Sequence, residues 1–209
     1  MARYNTVVFD FDGTIADTFG ETRLIYNHLA ADYGLRIIEE HEMPALRHFS
    51  LKQFLAEYDI PKRRVPALLA RGTGLMRGGI ERLKLIDGMG DALTGLRTRV
   101  RRFGILTSNS HANVDVFLRN HGLRETFDFI SSTTKLTGKA KHLRSIRRTF
   151  SIPSEEMLFV GDEIRDVKAA KKAGVPVAAV TWGFNSREAL AAENPEFLID
   201  QPFEFARLA

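Results

Sequence analysis

The stretch Val7-Val8-Phe9-Asp10-Phe11-Asp12-Gly13-Thr14-Ile15-Ala16-Asp17 decides how the rest of the chain is read. Val7, Val8 and Phe9 form a β-branched and aromatic run of the kind that makes a buried strand. The run ends on two carboxylates spaced two apart, followed by a glycine. Side chains i and i+2 of an extended backbone leave on one face, so Asp10 and Asp12 can address one ligand while apolar Phe11 points away. A pair of acids at a strand end is a place for chemistry.

Working outward, the pattern turns helical after Asp17. Leu24, Ile25, Leu29 and Tyr33 recur at helical spacing, and Gly34 follows as a stop. Ser50 with Gln53 reads as a capping box, and behind it Leu51, Phe54, Leu55 and Tyr58 make an apolar stripe. Pro66 suits a first helical turn, and the segment it opens runs through Met76 to Gly78-Gly79. Residues 18–84 therefore predict a small all-helical cap inserted after the first strand, with no strand of its own and with hinges near Ile15 to Thr18 and Leu83 to Gly88. From Asp87 onward, helices over 91–101, 114–121, 140–150 and 166–173 alternate with strands at 103–106, 129–131, 157–160, 177–180 and 197–199. That rhythm implies βαβ units: an α/β fold with a Rossmann-like parallel sheet, helices on both faces, built from residues 1–17 and 85–209. Ligands of such sheets bind at the carboxyl ends of the strands.

Composition sets bounds. The 209 residues, 44% hydrophobic and 27% charged, suit a soluble globular protein with a full core. With no cysteine, disulfides, thiolate metal sites and cysteine nucleophiles are excluded together, in keeping with a reducing compartment. No apolar run approaches the roughly 20 residues of a membrane span. Met1-Ala2-Arg3-Tyr4-Asn5 enters a strand at once in place of an apolar signal core, so the expectation is cytoplasmic with no membrane partner. A net charge of +4 is modest, and Arg97, Arg99, Arg101 and Arg102 lack interleaved aromatics; they read as a solvated helix end and not as a nucleic-acid surface. The six histidines show no paired metal-ligand spacing.

The strand-end rule selects a short set of residues. Thr107-Ser108-Asn109 follows one strand, Gly161-Asp162-Glu163 with Asp166 follows another, and Gly138-Lys139 opens the helix between them. With Asp10 and Asp12 they would share one edge of the sheet. Carboxylates that close repel, and a hard divalent cation with oxygen ligands, Mg²⁺ first among them, resolves the repulsion. A cation, a lysine, a hydroxyl and the backbone N–H groups of the Gly13-Thr14 turn make a receptor for phosphoryl oxygens. One carboxylate is then free to attack phosphorus, and another to protonate the leaving alkoxide and later deprotonate a water.

Asp10-Phe11-Asp12-Gly13-Thr14 resembles the first motif of the haloacid dehalogenase superfamily, Thr107 its second, Lys139 its third, and Gly161-Asp162 with Asp166 its fourth. The stretches 104–110, 160–166 and 180–184 are most similar to its phosphoglycolate phosphatase-like branch. The resemblance implies a Rossmann-like core with a helical cap, with Asp10 as the nucleophile that becomes aspartyl phosphate and Asp12 as general acid and base. It implies Thr107 and Lys139 on the phosphoryl oxygens, and Mg²⁺ held by Asp10, the Asp12 carbonyl, Asp162 and Asp166. Asp12 separates this chain from the dehalogenases of the superfamily, which lack it. A phosphonatase would need a cap lysine, for which Lys52 and Lys62 are available.

Substrate choice is expected from the cap, where residues 43–82 carry eight Lys or Arg against three acids. Arg47, Arg71 and Arg77 are the candidates for a carboxylate or second phosphate. Trp182-Gly183-Phe184 either borders the site mouth or covers the core, and Glu163 either supports the site or faces solvent. The expected function is a Mg²⁺-dependent phosphomonoester hydrolase acting on a small phosphorylated metabolite, as monomer or homodimer. The alternatives are a phosphomutase of the same superfamily and a non-catalytic phosphate-binding domain.

Overall fold

A computed structural model describes residues 4–133 and 138–208; the expectation about the first three residues lies outside them. In chain order the strands are β1 (Thr6–Phe9), β2 (Ala16–Asp17), β3 (Lys84–Leu85), β4 (Arg102–Thr107), β5 (Phe129–Ser132), β6 (Met157–Gly161), β7 (Val177–Val180) and β8 (Phe197–Ile199). Helices α1 (Phe19–Tyr33), α2 (Met43–Leu46), α3 (Leu51–Glu57) and α4 (Val65–Gly79) fall between β2 and β3. Helices α5 (Met89–Arg97), α6 (His111–Asn120), α7 (Lys139–Thr149), α8 (Ile164–Ala173) and α9 (Arg187–Ala191) are distributed among the later strands.

Six strands form one parallel sheet in the order β5-β4-β1-β6-β7-β8. β1 is buried along its whole length because its sequence offers apolar groups to both faces. Val7 and Phe9 join Phe103, Ile105 and Leu158 under Met89 and Leu93 of α5 and Val114 and Phe117 of α6. Val8 joins Leu106 and Phe159 over Leu143 of α7 and Val167 and Ala170 of α8. At roughly 1.5–3 kcal/mol per fully buried large apolar side chain, this two-sided burial anchors the strand from which Asp10 projects. The chain runs outward from β1 to β4 and β5 and then returns to the other side of β1 at β6. Such a reversal opens a crevice at the carboxyl edge.

The helical segment has its own cluster, in which Ile38, Tyr58 and Ile60 pack with Tyr26, Phe54 and Leu68. Ser50 and Gln53 form the expected capping box. Leu24, Ile25, Leu29 and Tyr33 all fall on α1, where Leu24 is 55% exposed because the helix turns Ile25 and Leu29 toward Gly72 of α4. One expectation is corrected. The segment ends in a strand after all, since Ala16 pairs with Leu85 and Asp17 with Lys84 in an antiparallel ribbon. Two-residue strands carry no periodicity to read. The arginine run leads from the last turn of α5 into β4, with Arg99 and Arg101 exposed as expected of a solvated helix end. Arg97 pairs with Asp128 at 3.0 Å, Arg99 donates to the Ala206 carbonyl at 3.0 Å, and Arg102 lies over Phe150. No helix among the described residues is long and apolar enough to cross a membrane.

Gly104 is the narrow point of the sheet, because a methyl there would collide with the ring of Phe129, which stacks on Phe150. Gly104→Ala is expected to destabilise the fold by about 1–3 kcal/mol, the range for overpacking. Urea denaturation reads this as a lower midpoint with an unchanged slope.

Candidate active site

The Asp10 N–H donates to the Val160 carbonyl at 2.7 Å, so the ladder holds Asp10 one residue beyond β1. The backbone then turns, with the N–H groups of Ile15 and Ala16 both donating to the Phe11 carbonyl at 2.9 and 3.1 Å. Phe11 goes inward onto Phe117, with ring centroids 5.0 Å apart. Gly13 sits at φ +74°, and a methyl there would strike the Asp162 carboxylate and the Phe184 ring, so both conformation and space call for glycine.

Buried Lys139, at the start of α7, joins the strand ends. Its Nζ lies 2.5 Å from Asp10 Oδ2 and 2.6 Å from Asp166 Oδ1, and all three side chains are at most 2% exposed. One oxygen each of Asp10, Asp162 and Asp166 lies within 4.8 Å of the others. Asp162 is fixed at both oxygens: Thr14 Oγ1 donates to Oδ1 at 2.6 Å and the Phe184 N–H to Oδ2 at 2.7 Å. Thr107 is buried at the end of β4, its Oγ1 accepting from the Asn109 N–H at 2.9 Å. The Asn109 side chain in turn donates to both oxygens of half-buried Asp12, at 3.1 and 3.2 Å. The sheet thus brings Asp10, Asp12, Gly13, Thr14, Thr107, Asn109, Lys139, Asp162 and Asp166 to one edge.

Four acids against one lysine leave excess negative charge. Burial pushes Asp10 upward despite Lys139, and burial pushes Asp166 upward against the same lysine. Asp162 is raised well above the usual carboxylate range by burial first, then by Glu163, Asp10 and Asp166. Burial would lower Lys139, but Asp10 and Asp166 outweigh it and hold the amine above its ordinary value. Asp12 is pushed up to about 6 by burial, with Asn109 opposing. An all-oxygen donor set of mutually repelling buried carboxylates fits a hard divalent cation.

A cavity of about 340 Å³ opens between this edge and the helical segment. Asp12, Ser108 and Asn109 line its floor, and its far wall is largely apolar, with Phe19, Leu46 and Phe54 among its residues. The arginines expected to face substrate do not line it. Arg47 Nη2 donates to the Thr181 carbonyl at 2.6 Å, Arg71 pairs with Asp32 at 2.7 Å, and Arg77 is exposed. Lys52 and Lys62 are likewise exposed and away from it. Of the Trp182-Gly183-Phe184 stretch, Phe184 lines the cavity, whereas Trp182 packs on Phe205 and donates to the Thr14 carbonyl at 3.1 Å.

Among the lining residues that the sequence did not mark are Arg23, Arg165 and Asn185. Arg165 had a signal, because it stands between Asp162 and Asp166. Asn185 had none. Its Nδ2 donates to the carbonyls of Arg47 at 3.0 Å and Phe49 at 2.9 Å, its Oδ1 accepts from the Ile164 N–H at 2.8 Å, and its own N–H donates to the Asp162 carbonyl.

Residues 7–180 match the family model described as haloacid dehalogenase-like hydrolase. A phosphoglycolate phosphatase of Synechococcus elongatus is 34% identical over 196 residues, covering 94% of this chain and 92% of that protein. Pyrophosphatase PpaX of Bacillus cereus is 23% identical, covering 95% and 93%. A solved haloacid dehalogenase-like family hydrolase from Streptococcus pneumoniae superposes with a TM-score of 0.82 at 20% identity, covering 99% of each chain.

The raised carboxylates make metal-free stability depend on pH. A folded-state pKa above the unfolded value means the folded state binds the proton more tightly, so the contribution is full below the unfolded value of about 4 and is lost as pH rises from there through the folded-state pKa. For Asp12 the loss runs from about 4 to about 6, and Asp10, Asp162 and Asp166 act in the same direction. Without divalent metal the melting temperature is expected to fall between pH 5 and 8. Saturating Mg²⁺ is expected to raise it more at pH 8 than at pH 5, as scanning calorimetry at the two pH values would show.

Proposed function

The chain belongs to the haloacid dehalogenase-like hydrolases, as an enzyme of the phosphatase type, and from that premise we propose that it hydrolyses small phosphomonoesters of the phosphoglycolate class with Mg²⁺, through a phosphoaspartate at Asp10. The observation that carries the reading is Lys139 held between Asp10 and Asp166 with Asp162 in ligand range. Asp10, Asp162 and Asp166, with the Asp12 carbonyl, would hold the cation. When bound it supplies Lewis-acid relief of phosphoryl and carboxylate charge.

The remaining chemistry belongs to the chain. Asp10 is the nucleophile, and Lys139, 2.5 Å from its Oδ2, favours the carboxylate form against the burial that pushes it upward. Its carboxylate oxygen forms a bond to phosphorus as the ester P–O bond breaks, and the departing alkoxide takes its proton from Asp12. Asp12, left as carboxylate, then takes a proton from a water whose oxygen attacks phosphorus and releases Asp10 with inorganic phosphate. An acid held near 6 can give and take a proton close to neutrality, and Asn109 aims it. Thr107, Lys139 and the Gly13-Thr14 turn bind the phosphoryl oxygens, Ser108 and Asn109 border the leaving group, and residues 18–84 act as a cap that limits water. The relative named for phosphoglycolate makes that ester the first to assay. A phosphate sensor would have no use for Asp12 at this position.

Asp10→Asn is expected to bring Mg²⁺-dependent release of phosphate from phosphoglycolate to background, and Asp12→Asn to lower kcat by about 10²–10⁴-fold. A chelator is expected to abolish turnover and added Mg²⁺ to restore it. Retention of turnover by Asp10→Asn, or indifference to the chelator, would refute the reading.

A further inference from the structure

Arg165 stands in the first turn of α8, flanked closely by Asp162 and Asp166, and lines the cavity together with Asp12. Its Nη2 lies 2.5 Å from Glu163 Oε1, with the two side chains 20% and 19% exposed. Its Nε and Nη1 are enclosed and have no hydrogen-bond partner among the described residues. A guanidinium carries five N–H donors in a fixed fork and keeps its charge at any working pH. One carboxylate therefore uses only part of what it offers, and enclosed donors left unmet are costly.

We propose that Arg165 determines substrate specificity by receiving a second anionic group, carboxylate or phosphoryl, placed two or three bonds from the phosphorus transferred to Asp10. The inference rests on the phosphomonoester hydrolase reading above and adds the residue that selects the organic half. Arg165 is near enough to the reacting acids for its charge to bear on Asp10, Asp12 and Asp166. The other cations are placed differently. Lys139 is held between two aspartates. Arg47 also has an enclosed Nε without a partner among the described residues, but it gives Nη2 to the Thr181 carbonyl and does not line the cavity. Arg23, the other lining arginine, reaches the Ile38 carbonyl at 3.4 Å and Glu40 at 3.9 Å. The apolar far wall offers a short acid nothing. Glu163 holds the guanidinium in place before substrate arrives, so that its charge is not left buried alone. An incoming anion then shares it.

The test compares phosphoglycolate with 2-hydroxyethyl phosphate, of equal length but neutral at the far end, and with inorganic pyrophosphate. Wild-type enzyme is expected to favour phosphoglycolate or pyrophosphate over the neutral ester by about 30-fold in kcat/KM, the scale of a hydrogen-bonded charge. Arg165→Gln is expected to cut that preference at least about tenfold through KM, with a smaller loss on the neutral ester, and Arg165→Lys to restore part of it. Whichever anion loses its advantage identifies the group received. An unchanged preference, or an equal loss on all three, overturns the proposal. Calorimetry in the Asp10→Asn background separates the two readings. Arg165-dependent binding of the anionic esters without wild-type turnover would sink the hydrolase reading and keep the specificity role, and equal binding of anionic and neutral esters would sink the role whatever the turnover.

Discussion

A buried lysine shared by two buried aspartates is the constraint on which the rest of this structure depends. Burying an ammonium or a carboxylate is costly, and the Lys139 contacts to Asp10 and Asp166 recover that cost only while all three hold position. The geometry is therefore set by elements that cannot move independently. β1 is locked by apolar packing on both faces, α7 by Leu143 and Ile146, and α8 by Val167 and Ala170. Asp162 adds a charge that the lysine does not neutralise, which is why the cluster suits a divalent cation better than it suits stability alone.

The helical segment is tied to this cluster through asparagines. Asn113 donates to the Thr73 carbonyl of α4 and to Asn109, the residue that holds Asp12. Asn185 joins the carbonyls of Arg47 and Phe49 to the Asp162 and Ile164 backbone. The acid Asp12 and the ligand-range acid Asp162 thus each have a short bonded path to residues 43–79. A side-chain amide can do this because it donates and accepts at once, whereas an aspartate at either place would repel the acids beside it.

The carboxyl edge of the sheet was legible because strands announce themselves by β-branched runs, and parallel topology puts every strand end on one side. Asp10, Thr107 and Asp162 follow from that rule, and Lys139 from its place at the start of a helix between two of the strands. What stayed hidden depends on how separate helices meet. Arg47, Arg71 and Arg77 counted as cations in the sequence, but Thr181 and Asp32 engage the first two and the third faces solvent, and composition cannot reveal a partner. The Ala16–Leu85 ribbon was too short to show a period. Arg165 lies inside the most informative motif, but a lone arginine among carboxylates has no spacing that marks it as facing a cavity.

The division of labour in the site follows from which groups are fixed by backbone and which by side chains. Asp162 is held by Thr14 and the Phe184 N–H, and hemmed in by Gly13 and Gly183, where a methyl would collide with it. Such steric and bonded fixation leaves little reorganisation for the reaction to perform, which is how a preorganised site lowers a barrier. The cavity wall opposite is built from apolar side chains that discriminate weakly between small polar groups. The reacting acids are thus held tightly at the sheet edge, and the charged groups that line the cavity beside Asp12 are Glu163 and Arg165 from that edge and Arg23 from α1.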